Sequence, residues 1–306
     1  MAGSREIRRK IKSIKATKQI TRAMELVSAA KMKRAVNHAL GMRTYASTAL
    51  MVLSHLADKT HPDLHPLLEV RPETKHVLVV AYSSDRGLCG SFNALLFKKV
   101  VEHEKELRKE IAEVEIDYMA VGKRVGEFLA RTGRNVVASF TGMTNRPSLE
   151  STLPVGKIAL DAYLEKRYDR VVLVYQHFLS ALFQKPTAFQ ILPFSTETLI
   201  EMGAELNLFK HLSQEVKDEG AEYLYEPSAD VILEELLPQL THMQLFQAVL
   251  ETTASEHSAR MVAMRAATDS ATEMMSDLTL HLNQVRQAGI TREIAEISAG
   301  KIALGL

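Results

Sequence analysis

The two ends of the chain predict unusually long helices, and this feature constrains the fold more than any other. From Ser4 to about Ala57 there is no proline and only one glycine, Gly41, and the segment 59–66 that follows contains two prolines. A helix of about 54 residues spans roughly 80 Å. Because that exceeds the diameter of an ordinary domain, the helix must project from whatever domain the rest of the chain forms.

Apolar residues in this N-terminal segment recur at helical spacing in two sets separated by a phase shift, which is typical of an imperfect coiled coil. They are Ile7, Ile11, Ile14, Ile20, Met24 and Val27.

The C-terminal segment repeats the pattern. Ser228 is a candidate helix cap, and Pro238 predicts an early kink or break. Beyond Pro238, apolar or small residues recur in alternating steps of four and three over more than five heptads, a strong indication of a coiled coil. This C-terminal seam comprises Leu250, Ala254, His257, Met261, Met264, Thr268, Ala271, Met275, Leu278, Leu282, Val285 and Gly289.

The charges of the two ends are complementary. Residues 1–43 contain twelve Lys or Arg and two acids, whereas residues 228–306 contain five Lys or Arg and ten acids. We therefore expect the two long helices to pair with each other. The same basic N-terminal face could instead bind nucleic acid, although no aromatic residues are interleaved with its cations.

The middle of the chain has a different pattern. Four apolar runs, "HVLVVAY", "EIDYMAVG", "NVVASF" and "RVVLVYQHF", alternate with helical segments near 91–110, 122–132 and 151–166. This alternation predicts a parallel α/β sheet. Residues 197–220 are expected to form a helical insertion and loop.

The stretch "SSDRGLCGSFN" (residues 83–93) follows the first predicted strand and contains the only cysteine, Cys89. It lacks the glycine patterns of phosphate-binding loops. Cys89 could be a nucleophile, since a helix N-terminus lowers a thiol pKa, but no histidine is close in sequence to serve as its base. Two interpretations stay open, a structural turn that presents a contact surface and a cysteine-dependent α/β enzyme.

Composition excludes several other classes. One cysteine cannot form an internal disulfide or a cysteine metal cluster, and no apolar run approaches the ~18 residues that span a bilayer. The histidines show no metal-ligand spacing with a supporting carboxylate, so neither a metal nor a cofactor is expected.

Four stretches together resemble the gamma subunit of F-type ATP synthases, and the resemblance covers nearly the whole chain. They are "REIRRKIKSIKATKQITRAMELVSAAKMKRA" (5–35), "SSDRGLCGSFN" (83–93), "EHSARMVAMRAATDSA" (256–271) and "RQAGITREIAEISAG" (286–300).

The resemblance implies a fold and a mechanism. The N-terminal helix (1–58) and the C-terminal helix (228–306) form an antiparallel two-helix coiled coil, with a Rossmann-like α/β domain (75–226) at its foot. The coil turns inside a ring of three α and three β subunits, and the foot binds the epsilon subunit and the membrane c-ring. On this interpretation the chain is a non-catalytic rotary shaft that needs no cofactor, no nucleic acid and no small-molecule substrate. It is peripheral on the cytoplasmic face of a bacterial inner membrane, since no transit peptide precedes the family motif. The rivals are a coiled-coil scaffold or nucleic-acid binder and the cysteine-dependent enzyme.

Motif by motif, the resemblance also implies contact residues. Arg286 and Gln287 match positions that meet a β-subunit catch loop, and Met24, Glu256 and Arg260 match positions that support coupling. Cations at the end of the basic segment and the cysteine loop face an acidic lever of the β subunits, and three residues of "EYLYEP" touch the c-ring. The residues that face the acidic lever are Lys31, Lys33, Arg34 and Cys89. The residues that touch the c-ring are Tyr223, Tyr225 and Glu226.

Three features depart from the family pattern. Lys301 places a charge near the C-terminal tip, where the family is usually small and apolar, and Gly289 replaces a better helix former. The single cysteine excludes the thiol switch of the chloroplast type.

Overall fold

A computed structural model describes residues 2–57, 65–71, 73–111, 113–145, 147–194 and 228–303. Two long helices, α1 (Ala2–Ala57) and α5 (Ala229–Ala303), form the ends, which confirms the prediction from the helix patterns. In chain order the elements between them are β1 (His76–Tyr82), α2 (Phe92–Glu110), β2 (Glu115–Val121), α3 (Lys123–Arg131), β3 (Val136–Phe140), α4 (Leu149–Leu164), β4 (Arg170–Phe178) and β5 (Gln184–Leu192). The helical insertion predicted for 197–220 lies outside the described residues.

The chain divides into two compact units. One consists of Met1–Ala29 with Arg260–Leu306, and the other of Ala30–Ala259.

The sheet belongs to the larger unit and has five strands in the order β3-β2-β1-β4-β5. The first four strands pair in parallel, as the alternation of strands and helices predicts. The sequence pattern missed β5, which pairs antiparallel with β4 and makes the sheet mixed. Pro186 lies within β5, and an edge strand is the place in a sheet where proline is tolerated.

Strand β1 shows how the sheet is buried on both faces. Leu78, Val80 and Tyr82 lie in a core formed with α4 and the first part of α5. Val77 and Val79 point to the opposite core, formed with α2 and α3. Because successive side chains alternate between faces, the continuous apolar run of β1 identifies it as a central strand.

Helix α5 continues through Pro238, so of the two predicted outcomes the break is wrong and the kink stays a prediction. A proline inside a helix removes one backbone hydrogen bond and costs about 3 kcal/mol. The flanking side chains of Leu233, Leu237 and Leu240 are buried in the core under the sheet. The burial of these leucines offsets that cost at roughly 1.5–3 kcal/mol each.

In the smaller unit α1 buries a single stripe with no phase shift. Its buried or half-buried positions recur in steps of four and three and include polar residues. They are Ile7, Ile11, Ile14, Lys18, Thr21, Glu25 and Ser28. Ile20 is 60% exposed and Val27 56% exposed, so their predicted place in the seam is wrong.

Contacts with α5 explain why polar residues occupy the stripe. The hydroxyls of Thr21 and Thr268 lie 2.7 Å apart, and Arg265 Nε donates to Glu25 Oε1 over 3.0 Å. As the residue number rises on α1 it falls on α5, so the helices run in opposite directions here. On α5 the burial follows the predicted seam, from buried Met264 to half-buried Val285.

Candidate functional site

The loop after β1 is a hydrogen-bonded turn. Asp85 accepts hydrogen bonds from the backbone N–H of Lys123 over 3.0 Å and from that of Gly142 over 2.9 Å. One carboxylate therefore joins the ends of three neighbouring parallel strands at their carboxyl edge.

Cys89 lies inside this turn and is only 2% exposed. Asn93 donates to its Sγ over 3.3 Å, and the side chains of Ser84 and Asn93 hydrogen-bond to each other. The buried thiol favours the structural turn over the catalytic interpretation. The predicted contact of Cys89 with an acidic lever stays a prediction for the loop. The exposed side chains of the loop include Arg86 and Leu88, and Leu88 is 63% exposed.

A close approach of two strands holds this loop in place. Ser83 N donates to Val121 O over 2.7 Å, and Gly122 N donates to Phe140 O over 2.7 Å. Ser83 Oγ accepts from Val125 N at the start of α3 over 2.9 Å. Gly122 has a φ of +106°, and a Cβ there would lie 2.2 Å from Ser83 O. Only glycine allows this approach, since a side chain would collide with backbone.

A buried pair that the sequence analysis missed links the sheet to α5. His177 Nδ1 lies 2.6 Å from Glu251 Oε2, and Gln247 donates to Glu251 Oε1 over 2.8 Å. Both residues looked unremarkable in sequence, because the signal is their contact across 74 residues. The pair fixes the end of β4 to the helix.

Glu256 and Arg260, the predicted coupling residues of α5, are interior. Glu256 is 4% exposed and Arg260 is 7% exposed. Because both side chains are buried within this chain, we do not expect either of them to contact another subunit directly. Their role in coupling stays a prediction.

Met24 is half-buried beside Glu25 on α1. Burial by itself would raise the pKa of Glu25, but hydrogen bonds from Arg22 and Arg265 outweigh it and lower that pKa. Glu25 is thus held as a carboxylate between two guanidinium groups.

The cations at the end of the basic segment differ in accessibility. Lys31 is half-buried, whereas Lys33 and Arg34 are exposed. All three lie within four consecutive residues of one helix, and their side chains have no ion-pair partner among the described residues. They therefore form a positive surface.

The C-terminal end of α5 is exposed on every side. Each residue from Arg286 to Ala299 is exposed, including Gln287. Ile290, Ile294 and Ile297 form an apolar stripe along it, at 49%, 58% and 73% exposure. Large apolar residues exposed at helical spacing mark an interaction surface.

Three predicted contact residues, Tyr223, Tyr225 and Glu226, lie outside the described residues.

In the described part of the chain, no group of three or more His, Cys, Asp or Glu side chains could hold a metal ion. No described helix has the length and apolar character that crossing a membrane requires.

Comparisons with known proteins agree along the full length. A family model described as "ATP synthase" matches residues 3–304. The "ATP synthase gamma chain" of Roseiflexus sp. (strain RS-1) is 40% identical over 99% of this chain and 99% of its own length. That of Thiobacillus denitrificans (strain ATCC 25259 / T1) is 40% identical over 99% of this chain and 100% of its own.

Two solved structures share the fold. A chain of the rotor of the Euglena gracilis mitochondrial ATP synthase has a TM-score of 0.60 at 20% identity and covers 94% of this chain and 99% of its own. A chain of the central stalk and c-ring of the Tetrahymena thermophila enzyme has a TM-score of 0.55 at 24% identity, with 81% and 99% covered.

Proposed function

The chain belongs to the ATP synthase gamma-chain family, and we propose that it works as the rotary shaft of an F-type ATP synthase. It is a non-catalytic subunit: ATP chemistry belongs to the β subunits, and this chain transmits torque between them and the ion-driven c-ring. Its partners are three α and three β subunits, the epsilon subunit and the c-ring.

We propose that α1 and α5 form an antiparallel coiled coil. The contacts Thr21–Thr268 and Glu25–Arg265 support this, since they are related by the steps of a two-helix register. Continued in heptads, that register places Ile7 near Leu282, and both are at least half-buried. The sheet, with parallel strands and helices on both faces, would be the Rossmann-like domain at the foot of the coil.

The exposed end of α5 is the observation that best supports the shaft. A helix that exposes fourteen consecutive residues, with isoleucines among them, has no use for that surface in its own fold. Inside a ring of subunits the same surface becomes a bearing. Arg286 and Gln287 lie at its beginning, where we propose that they meet the β-subunit catch loop.

The basic segment of α1 suits a contact that must form and break at each step. Exposed ion pairs contribute only about 0–1 kcal/mol each. Lys31, Lys33 and Arg34 can therefore attract an acidic lever of the β subunits without trapping the rotor. We propose that the loop around Cys89 contacts the same lever through its outward residues.

Three coupling residues have different positions in this picture. Met24 is half-buried in α1, whereas Glu256 and Arg260 are interior residues of α5. We propose that Glu256 and Arg260 act as positioning residues, which hold α5 in shape while Arg286 and Gln287 make the contact. Tyr223, Tyr225 and Glu226 remain the proposed foot contacts with the c-ring.

As a gamma chain the protein is part of the membrane-attached F1 complex. We propose that this complex lies on the cytoplasmic face of the bacterial inner membrane.

The test is to replace Arg286 by Ala in the complete complex and to measure assembly, ATP hydrolysis and proton-coupled synthesis in vesicles. Charge-assisted hydrogen bonds contribute about 1.5–3 kcal/mol. Because only part of this energy distinguishes the resting from the rotating state, turnover and synthesis should fall several-fold while assembly stays normal. Gln287→Leu should behave in the same way. Changes at Glu256 and Arg260 should reduce turnover less.

Arg292→Ala is the matched control, because it removes the same side chain from the same exposed end of α5. It should leave turnover close to that of the unchanged complex. Wild-type rates from a fully assembled Arg286→Ala complex, or equal losses at both arginines, would contradict the proposed contact.

A further inference from the structure

A cleft of about 270 Å³ opens in the larger unit, between α1, the loop after β3 and α5. Its walls are formed by Lys31, Arg34, Ala35, His38, Thr144, Asn145, Pro147, Thr253 and His257. Arg286, proposed to contact the catch loop, is not among these residues. The sequence motifs do not indicate the cleft, because three distant segments contribute its walls.

The charge of the cleft is one-sided. Two permanent cations, Lys31 and Arg34, line it together with two histidines, and among the described residues that form its walls there is no carboxylate. The side chains of Lys31, Arg34 and His38 have no hydrogen-bond or ion-pair partner among the described residues. By contrast, Arg22 and Arg265 on the same two long helices share the carboxylate of Glu25.

Converging cations repel each other, and a bound anion relieves that repulsion. The walls also offer hydrogen-bond donors of the kind that oxyanions accept. Arg34 presents a planar fork of N–H groups, Lys31 an ammonium, and Asn145 an amide. Thr144 adds a hydroxyl and is itself buried, so one wall of the cleft is part of the folded core.

We propose that this cleft binds phosphate, either as the free dianion or as the terminal group of a nucleotide. A dianion matches the two permanent cations, and its three or four free oxygens can accept from more donors at once than the two oxygens of a carboxylate. Arginine forks and lysine ammonium groups are the usual protein partners of phosphate.

Phosphate in the cleft has a consequence that rests on the proposed function. Lys31 and Arg34 are also proposed to meet the acidic lever, and a cation neutralised by phosphate attracts a carboxylate less strongly. Free phosphate would then weaken the lever contact. The binding of phosphate to the cleft does not depend on that role.

The experiment titrates the full chain with inorganic phosphate at constant ionic strength and follows binding by calorimetry. We expect saturable binding that Arg34→Gln weakens about tenfold, as expected when one charge-assisted hydrogen bond is lost. Lys31→Gln should weaken it similarly. Lys33→Gln is the matched control, since Lys33 is on the same helix but does not line the cleft, and its affinity should change less than about twofold.

A second arm adds ADP to the phosphate-loaded chain. Displacement at lower concentration than phosphate identifies the nucleotide as the source, whereas no displacement identifies free phosphate, and both support the site. Circular dichroism of each variant confirms that it is folded. Three results would overturn the proposal: no saturable binding, equal weakening by Lys33→Gln and Arg34→Gln, or binding of an acidic peptide where phosphate does not bind. The lever role could survive each of these results, so the two proposals fail separately.

Discussion

Replacing Gly122 by alanine should damage the sheet more than replacing any other glycine that the structure describes in the larger unit. Gly122 follows the last residue of β2 and has a φ of +106°, and an added Cβ would meet Ser83 O at 2.2 Å and Ser83 C at 2.8 Å. These are backbone atoms of the strand end that begins the Cys89 loop. They cannot rotate away, so either β1 or β2 must move.

Two costs contribute to the loss of stability. A backbone with φ +106° and ψ 140° is sparsely populated, and it costs a residue with a Cβ of order 1–3 kcal/mol. Overpacking in a close-packed interior costs typically about 1–3 kcal/mol, and more where backbone has to shift. We expect Gly122→Ala to lower the free energy of unfolding by about 3–5 kcal/mol, a large part of the ~5–15 kcal/mol of a typical domain.

Urea unfolding of the full chain, followed by circular dichroism, measures this difference against Gly133→Ala. Gly133 also has a positive φ, +69°, but nothing lies within 4 Å of a Cβ there. The control should therefore lose only the conformational part, about 1–2 kcal/mol. If Gly122→Ala loses no more than Gly133→Ala, the close approach does not hold the loop and the reasoning is refuted.

Three further predictions concern other parts of the chain. Gly156→Ala should cost about 1–3 kcal/mol in the same unfolding assay, because a Cβ at this position would lie 2.1 Å from His242 Nδ1. The control is Gly41→Ala, which should not destabilise the protein because nothing lies within 4 Å of a Cβ there. Equal losses in the two variants would contradict the packing argument. Burial by itself would raise the pKa of Asp169, but hydrogen bonds from backbone N–H groups and Arg71 outweigh it and hold that pKa below the ordinary value of an aspartate. Its contribution to stability should therefore be present above the pKa of the unfolded chain's aspartate and be lost as pH falls through the lowered pKa. Asp169→Asn should flatten the acid limb of a profile of stability against pH, and an unchanged limb would refute this. Cys89→Ser should leave ATP turnover of the assembled complex nearly intact, because the thiol is buried in a turn. A collapse of turnover in a normally assembled complex would instead support the catalytic interpretation.

The sequence predicted best those elements whose own residue pattern determines their secondary structure. The two ends with few helix breakers became α1 and α5. Three of the four apolar runs became buried parallel strands, and the fourth became the partly exposed edge strand β3. The α5 seam was predictable because its buried positions are mostly apolar or small, from Met264 to Val285.

The α1 stripe was not predictable in the same way, since the partner helix decides which residues are buried. Thr21 is buried because Thr268 faces it, and Glu25 because Arg265 neutralises it. Ile20 is more hydrophobic than either, but it lies on the opposite side of the helix and is exposed.

Strand β5 and the buried pair His177–Glu251 were missed for related reasons. Lys185 and Pro186 hide the alternation of β5, and its short connection to β4 is apolar where turns are usually polar. The pair exists only because the fold brings β4 against α5. The exposure of Arg286 and Gln287 was likewise invisible in the heptad pattern, which continues past them.

Rotation of the chain inside the assembled complex is the most direct test of the shaft. Lys98 lies on α2 with an exposed side chain, so Lys98→Cys in a Cys89→Ser background provides a single accessible attachment site for a gold particle. With the complex fixed to a surface through its β subunits, added ATP should turn the particle in one direction, with one dwell for each β subunit in a turn. A stationary particle on complexes that hydrolyse ATP would contradict the account.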